Sequence, residues 1–151
     1  MKALSFFLLL ILGTANIFSQ ENVLQTGIYR IVETDSCTNK DEFIKLSDSE
    51  QNYCLHRRPL ITSNDFDSVK IITDTTEGWN NYTIIIKMDS SAGLLFGKET
   101  TELVGKKVAF VIDDKIIMAP VIRDPILSGT IEVFCDEESI NEVKKALNVD
   151  N

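Results

Sequence analysis

The sequence predicts an α+β domain, with a largely antiparallel sheet and two helices packed on one face. Two observations support this class. Strand-like segments come first, followed by one helix, three more strands and a final helix, an order typical of α+β folds. In the most regular strand, Tyr82, Ile84, Ile86 and Met88 alternate with other residues, so one face is strongly apolar.

The first half of the chain predicts strands separated by polar loops. We expect strands at 27–33, around Phe43, Ile44 and Leu46 as a short edge strand, at 53–55, and at 69–73. Pro59 is expected to stop the third of these. Residues 63–66 predict a capped turn, and residues 76–81 a second turn.

The second half predicts both helices. Ser90 or Ser91 is expected to cap the first, which ends at Gly105, and Asp136 the last. Between them lie strands at 108–112, 116–122 and 130–135. The first is apolar on both faces and therefore central, and Pro120 marks the second as a sheet edge or a bulge. The residues expected to face the core are Ala92, Leu95, Phe96, Glu99 and Leu103 in the first helix, and Ile140, Val143 and Leu147 in the last.

The N-terminal residues have the three parts of an export signal. Lys2 is basic, residues 6–12 are apolar, and Ser19 before Gln20 is a suitable cleavage site, with Ala15 as a weaker one. A membrane anchor is the alternative, but polar residues interrupt the apolar run before it reaches the roughly 18 to 20 residues of a span. We expect cleavage and an exported protein, periplasmic or extracellular. Its mature part is expected to be one compact domain, comprising N-terminal strands with a disulfide loop (20–59) and a second region (60–148).

The charge argues against nucleic acid as a partner. Without residues 1–19 the chain keeps 14 basic and 23 acidic residues, whereas binding to a phosphate backbone relies on clustered Lys and Arg. No second long apolar segment predicts a membrane span after cleavage.

Three cysteines in an exported protein predict one disulfide and one free thiol, with three possible pairings. We favour Cys37 with Cys54, both in the polar first half. Cys135 lies on the apolar face of a strand and is expected to be a buried thiol. The wide spacing of the three, with only His56 to join them, does not indicate a metal site.

The segment 105–126 resembles the head region of the large periplasmic domain of SecD, the accessory subunit of the bacterial protein-export translocase. The resemblance spans roughly residues 60–147, and the SecD-like head pattern departs at Asp114, Met118 and Ser128. The charged intramembrane residues that the family links to proton coupling have no counterpart. The matching positions are Gly105, Lys106, Asp113, Lys115, Ala119, Pro120, Ile126 and Gly129.

The resemblance implies contact with polypeptide or with an envelope or translocon protein. We place this contact at a candidate binding set comprising Met118, Ala119, Pro120, Arg123, Pro125 and Ile126. Peptide docking at a strand edge is one interpretation. The favoured alternative is that Pro120 merely protects the edge from unwanted pairing.

No residue set predicts a catalytic or cofactor site, so we expect a non-enzymatic binding module. Asp113 and Asp114 suit a tight turn better than a metal site, and His56, beside two arginines, is expected on a solvated surface. The other function considered is a small-molecule or ion-binding protein that reuses the fold, since fold does not determine function. A hydrolase is a weaker third, because no nucleophile can be paired with a base.

Overall fold

The computed structural model describes residues 23–32, 37–48, 51–76 and 79–149. In this part the chain forms eight strands, two α-helices and one short 3-10 turn. The strands are β1 Gly27–Val32, β2 Phe43–Ser47, β3 Asn52–Thr62, β4 Phe66–Thr76, β5 Trp79–Met88, β6 Val108–Ile112, β7 Lys115–Met118 and β8 Thr130–Cys135. The helices are α1 Ser90–Glu102 and α2 Glu137–Leu147, and the 3-10 turn is Ser63–Asp65. The α+β class is confirmed.

The strands form two sheets rather than one. A five-stranded sheet has the order β2-β3-β1-β6-β7, and a three-stranded sheet has the order β4-β5-β8. Every paired neighbour is antiparallel. Because β1 lies between β3 and β6, the N-terminal strands and the second half of the chain share one sheet.

The five-stranded sheet is apolar on both faces. Its internal strand β6, which lies between β1 and β7, is buried at every residue, as its unbroken apolar sequence predicted. Val108, Phe110 and Ile112 face a main core, whereas Ala109 and Val111 face a second, smaller core with Tyr29. Cα atoms of the edge strands β2 and β7 come within 8 Å of each other, so the sheet curls around the second core.

The main core lies between the two sheets and the helices. Strand β5 contributes its predicted apolar face to it, and the helices add Phe96, Ile140 and Val143, all almost fully buried. The first helical face was predicted wrongly at one position, because Leu95 is 49% exposed. In its place, Gly93 and Gly97 are buried.

Aspartate caps both helices. The Asp89 side chain accepts from the Ala92 N–H, so the predicted serine cap of α1 is wrong by one or two residues. The predicted Asp136 cap of α2 is confirmed, since its carboxylate accepts from the Ser139 N–H at 2.8 Å. The capped turn at 63–66 is also confirmed, because Thr62 and Asp65 form a reciprocal capping box.

Strand β3 continues through Pro59, contrary to prediction. On its partner β1, Tyr29 pairs with Pro59 and Ile31 pairs with Leu55. Three β3 residues, 56–58, therefore stand opposite Arg30 alone. This bulge lets the strand accommodate a proline that a regular ladder would reject.

A disulfide joins Cys37 to Cys54, the pair that the sequence favoured, with Cα atoms 5.7 Å apart. The third cysteine, Cys135, is free and only half-buried, although its side chain packs against the main core. The predicted export signal lies outside the described residues. Neither described helix has the length and apolarity needed to cross a membrane.

Candidate functional site

The hairpin that leads into the candidate site is a tight turn built on two aspartates. Asp113 and Asp114 have φ of 46° and 62°, as a two-residue turn with positive φ at both positions requires. The Asp114 carboxylate also accepts from the Leu24 N–H at 2.7 Å. Within the described ranges, no three His, Cys, Asp or Glu side chains converge as a metal site. The turn interpretation of this pair is confirmed.

Besides burial, the charge of Asp114 contributes to the raised pKa of Tyr29, a tyrosine in the second core. The Tyr29 hydroxyl donates to the Gln25 carbonyl at 2.6 Å. Burial, and secondarily the charge of Asp114, raise the pKa of Tyr29 to about 12. Tyr29 is therefore a neutral donor at every physiological pH and holds the start of β1 in place.

Pairing with β6 continues beyond the end of β7. The Val108 N–H donates to the Pro120 carbonyl at 3.0 Å, and the Ile122 N–H donates to the Lys106 carbonyl at 2.9 Å. Lys107 and Val121 form the bridge between these bonds. Residues 119–122 therefore extend the sheet edge past Met118.

The direction of these bonds shows which side of the edge Pro120 affects. In an antiparallel ladder, the nitrogen and carbonyl of one residue face the same neighbouring strand. The Pro120 carbonyl faces β6, so its nitrogen, which has no hydrogen to donate, faces β6 as well. The backbone groups that face away from β6 belong to Ala119 and Val121. Pro120 thus does not protect the outer edge through its missing donor.

The loop that follows, 123–128, is seated on α1. Gly97 allows the contact, because a Cβ there would lie 3.3 Å from Leu127 Cδ2 and 3.4 Å from the Ile126 carbonyl oxygen. The buried Thr100 hydroxyl donates to the Gly97 carbonyl at 3.2 Å and accepts from the Ile126 N–H at 3.0 Å. Gly97 therefore provides space for this loop, and Gly93 does the same for Gly129, whose Cα would lie 3.1 Å from a Cβ at that position.

The six predicted binding residues fall into two groups. Pro120, Arg123 and Pro125 are exposed, whereas Met118, Ala119 and Ile126 are half-buried and pack partly into the cores. The structure adds two exposed apolar residues that the sequence analysis did not select, Val121 at 46% and Leu127 at 74%. We call residues 118–128 the rim. The alternation of outward and inward side chains after Pro120 would have predicted that Val121 is exposed. Nothing in the local sequence predicts the exposure of Leu127.

His56 is placed differently from its predicted solvated setting. It is half-buried in the β3 bulge, and its ring meets Phe43 edge-on at 5.5 Å between centroids. It lines an open cleft of about 170 Å³ together with Arg30, Arg58, Pro59, Leu60, Leu95 and Glu99. No sequence signal indicates this cleft, because it depends on how β3 pairs with β1.

Comparison with known proteins identifies one family. The family described as SecDF, P1 head subdomain, matches residues 39–148, so the match begins earlier than the resemblance in the sequence indicated. Protein translocase subunit SecD of Treponema pallidum is 39% identical over 70 residues, covering 45% of this chain and 12% of that protein. SecD of Thermobaculum terrenum is 37% identical over 70 residues, covering 46% and 13%. The chain thus spans a small part of the length of these relatives.

Two solved structures of SecDF show the same fold. SecDF in its super-membrane-facing form has a TM-score of 0.56 and 21% identity, over 82% of this chain and 18% of that one. A second, described as a membrane component that enhances protein export, has a TM-score of 0.55 and 20% identity, over 82% and 62%. At such identities the likeness concerns the fold alone.

Proposed function

The chain belongs to the family of the SecDF P1 head subdomain, and we propose from this that it is a non-enzymatic binding module for polypeptide or for an envelope protein partner. Its relatives are protein translocase subunits, which connects the family with protein translocation. We assign the contact to the rim.

The observation that carries this proposal is the open outer edge at residues 119–121. An extended polypeptide can add to such an edge through backbone hydrogen bonds, while its side chains occupy neighbouring apolar surface. Exposed Val121 and Leu127 supply apolar surface on the rim. The Pro120 nitrogen, which has no hydrogen to donate, faces β6. The backbone groups of Ala119 and Val121 therefore face outward.

The cavity beneath the rim is too small for a small organic ligand. Pockets for such ligands usually measure about 300 to 1,000 Å³ and are lined mainly by apolar side chains. The apolar cavity beneath Pro120, lined by Ile28, Phe96 and Phe110 among others, holds only about 30 Å³. That is space for about one water molecule.

We further infer that the protein works outside the cytoplasm of a bacterial cell. The disulfide supports this, because such bonds persist mainly in oxidising compartments. The intact mass of the protein recovered from the periplasmic fraction tests the inference. A chain that remains in the cytoplasm with all its thiols reduced would contradict it.

The rim is tested with an unfolded, fluorescently labelled polypeptide and the variant Val121→Asp. A carboxylate at this edge should weaken binding by about tenfold or more, because a bound segment would have to desolvate a charge where it now contacts an apolar side chain. The matched control is Ile72→Asp, which changes a strand residue of similar exposure, 40% against 46%, on the other sheet. Equal losses in both variants would remove the rim from the proposal. If the wild-type protein neither binds the polypeptide nor crosslinks to an envelope protein, the proposed function is wrong.

A further inference from the structure

The bulge in β3 places the side chains of His56 and Arg58 beside Arg30 in one cleft, whereas the Arg57 guanidinium donates to the Lys40 carbonyl and lines a different pocket. His56, Arg57 and Arg58 occupy the stretch that stands opposite Arg30 on β1. The bulge keeps its backbone hydrogen-bonded, since the Arg57 N–H donates to the Glu42 carbonyl at 2.8 Å and the Arg58 N–H donates to His56 Nδ1 at 3.1 Å. Bulges of this kind redirect side chains and are common beside functional sites.

Helix α1 closes the other side of this cleft. Leu95 and Glu99 are one helical turn apart and both line it. The Arg30 guanidinium meets the Glu99 carboxylate at 2.8 Å, and both side chains are about one-third exposed. Arg30 is therefore held in position by α1. Leu95, which is 49% exposed, forms the apolar part of the cleft lining together with Pro59 and Leu60.

The charges of the cleft do not balance. Glu99 neutralises Arg30, but in the described part of the chain the exposed Arg58 guanidinium has no carboxylate partner. His56 accepts a hydrogen bond from the Arg58 N–H at Nδ1, and its Nε2 lies 3.5 Å from the Glu42 carboxylate. Among the charged side chains that line the cleft, Arg30 and Arg58 stand against one carboxylate, Glu99, so the lining carries a net positive charge on a chain whose net charge is −8.

We propose that this cleft binds a carboxylate side chain, Asp or Glu, of an extended polypeptide. The proposal rests on the function proposed above and names the kind of segment that the module selects. A space of about 170 Å³ suits one side chain rather than a complete small-molecule ligand. The Arg58 guanidinium offers paired donors to the carboxylate, and Leu95, Pro59 and Leu60 can contact the methylene groups.

The test uses two blocked peptides that differ only in one Glu or Gln flanked by apolar residues. Amide and side-chain NMR shifts of the full protein should show the Glu peptide perturbing Arg30, His56 and Arg58, and binding about three- to tenfold more tightly than the Gln peptide. Arg58→Gln should abolish this preference. The control Lys70→Gln makes the same change of charge at an exposed residue of β4 and should preserve it.

The outcomes separate this inference from the proposed function. If both peptides bind equally and Arg58→Gln has no effect, the cleft assignment is wrong while polypeptide binding stands. If neither peptide binds, both fail. If acetate or inorganic phosphate at the same concentration displaces the Glu peptide, the cleft takes free anions, and selection of an acidic side chain is contradicted.

Discussion

At the residue scale, Thr100 is the polar side chain on which the rim depends. It is fully buried in α1, and its hydroxyl connects the Gly97 carbonyl to the Ile126 N–H. A buried N–H without a partner costs more than an ordinary hydrogen bond contributes. Thr100 thus joins the loop 123–128 to the helix at the point where Gly97 leaves space for it.

Replacing Thr100 by Val, which keeps the shape but removes the hydroxyl, should lower the free energy of unfolding by about 1 to 3 kcal/mol. The cause is the unpaired Ile126 N–H. Urea denaturation measures the loss, and hydrogen exchange should show faster exchange at Ile126.

The control is Thr101→Val. The Thr101 hydroxyl donates to the same Gly97 carbonyl at 2.8 Å but is exposed, so its loss should cost less than about 0.5 kcal/mol. Equal destabilisation in the two variants would show that the bond to Ile126 contributes nothing.

At the element scale, the two helices are stabilised at their first turns in the same way. Hydrogen bonds from the Ala92 and Ser139 N–H groups are the main reason that the pKa values of Asp89 and Asp136, respectively, are lowered. In α2, Glu137 and Glu138 in the first turn and Lys144 and Lys145 in the last also match the helix dipole. Each helix is therefore positioned by its cap as well as by its apolar face.

Asp136→Ala should lower the free energy of unfolding by about 1 kcal/mol at neutral pH, because the Ser139 N–H loses its partner. The folded-state pKa of Asp136 lies below its unfolded value. Its contribution is therefore complete above the unfolded pKa and disappears as the pH falls through the folded pKa.

Urea denaturation at neutral and at acid pH measures both effects, and the difference between wild type and variant should shrink toward acid. Asp124→Ala serves as the control, since Asp124 is exposed in the loop and its loss should change little. A difference between wild type and Asp136→Ala that grows toward acid would contradict the capping role.

At the scale of the whole molecule, the described part of the chain has two cores and one disulfide cross-link, which lies outside the helices. The disulfide connects the segment before β2 to the buried start of β3, beside the second core. Cys135 forms no disulfide, and burial raises the pKa of its thiol. Only the Cys37–Cys54 pair therefore constrains the unfolded chain.

The protein recovered from the periplasmic fraction should have the mass of a chain beginning at Gln20, with one disulfide and one thiol that alkylates after denaturation. Reduction should lower the free energy of unfolding by about 3 kcal/mol, as chain entropy predicts for a loop of this size. Intact mass spectrometry and urea denaturation measure these quantities.

Cys135→Ser should keep the disulfide and lose the alkylation. Three alkylatable thiols without reduction, or a mass that includes residues 1–19, would contradict the expectation for the exported form.

The sequence by itself determined the fold class, most element positions and the family. Those follow from patterns local in the chain, such as the alternation in β5, the unbroken apolar run of β6 and the Asp136 cap. The division into two sheets was decided only by the tertiary structure, since strand pairing joins residues distant in sequence. The tertiary structure alone also decided the bulge that lets β3 continue through Pro59 and the cleft beside Arg30. The same holds for the rim, because the sequence located Pro120 at an edge, but only the hydrogen bond from Val108 shows which side of the strand lacks a donor.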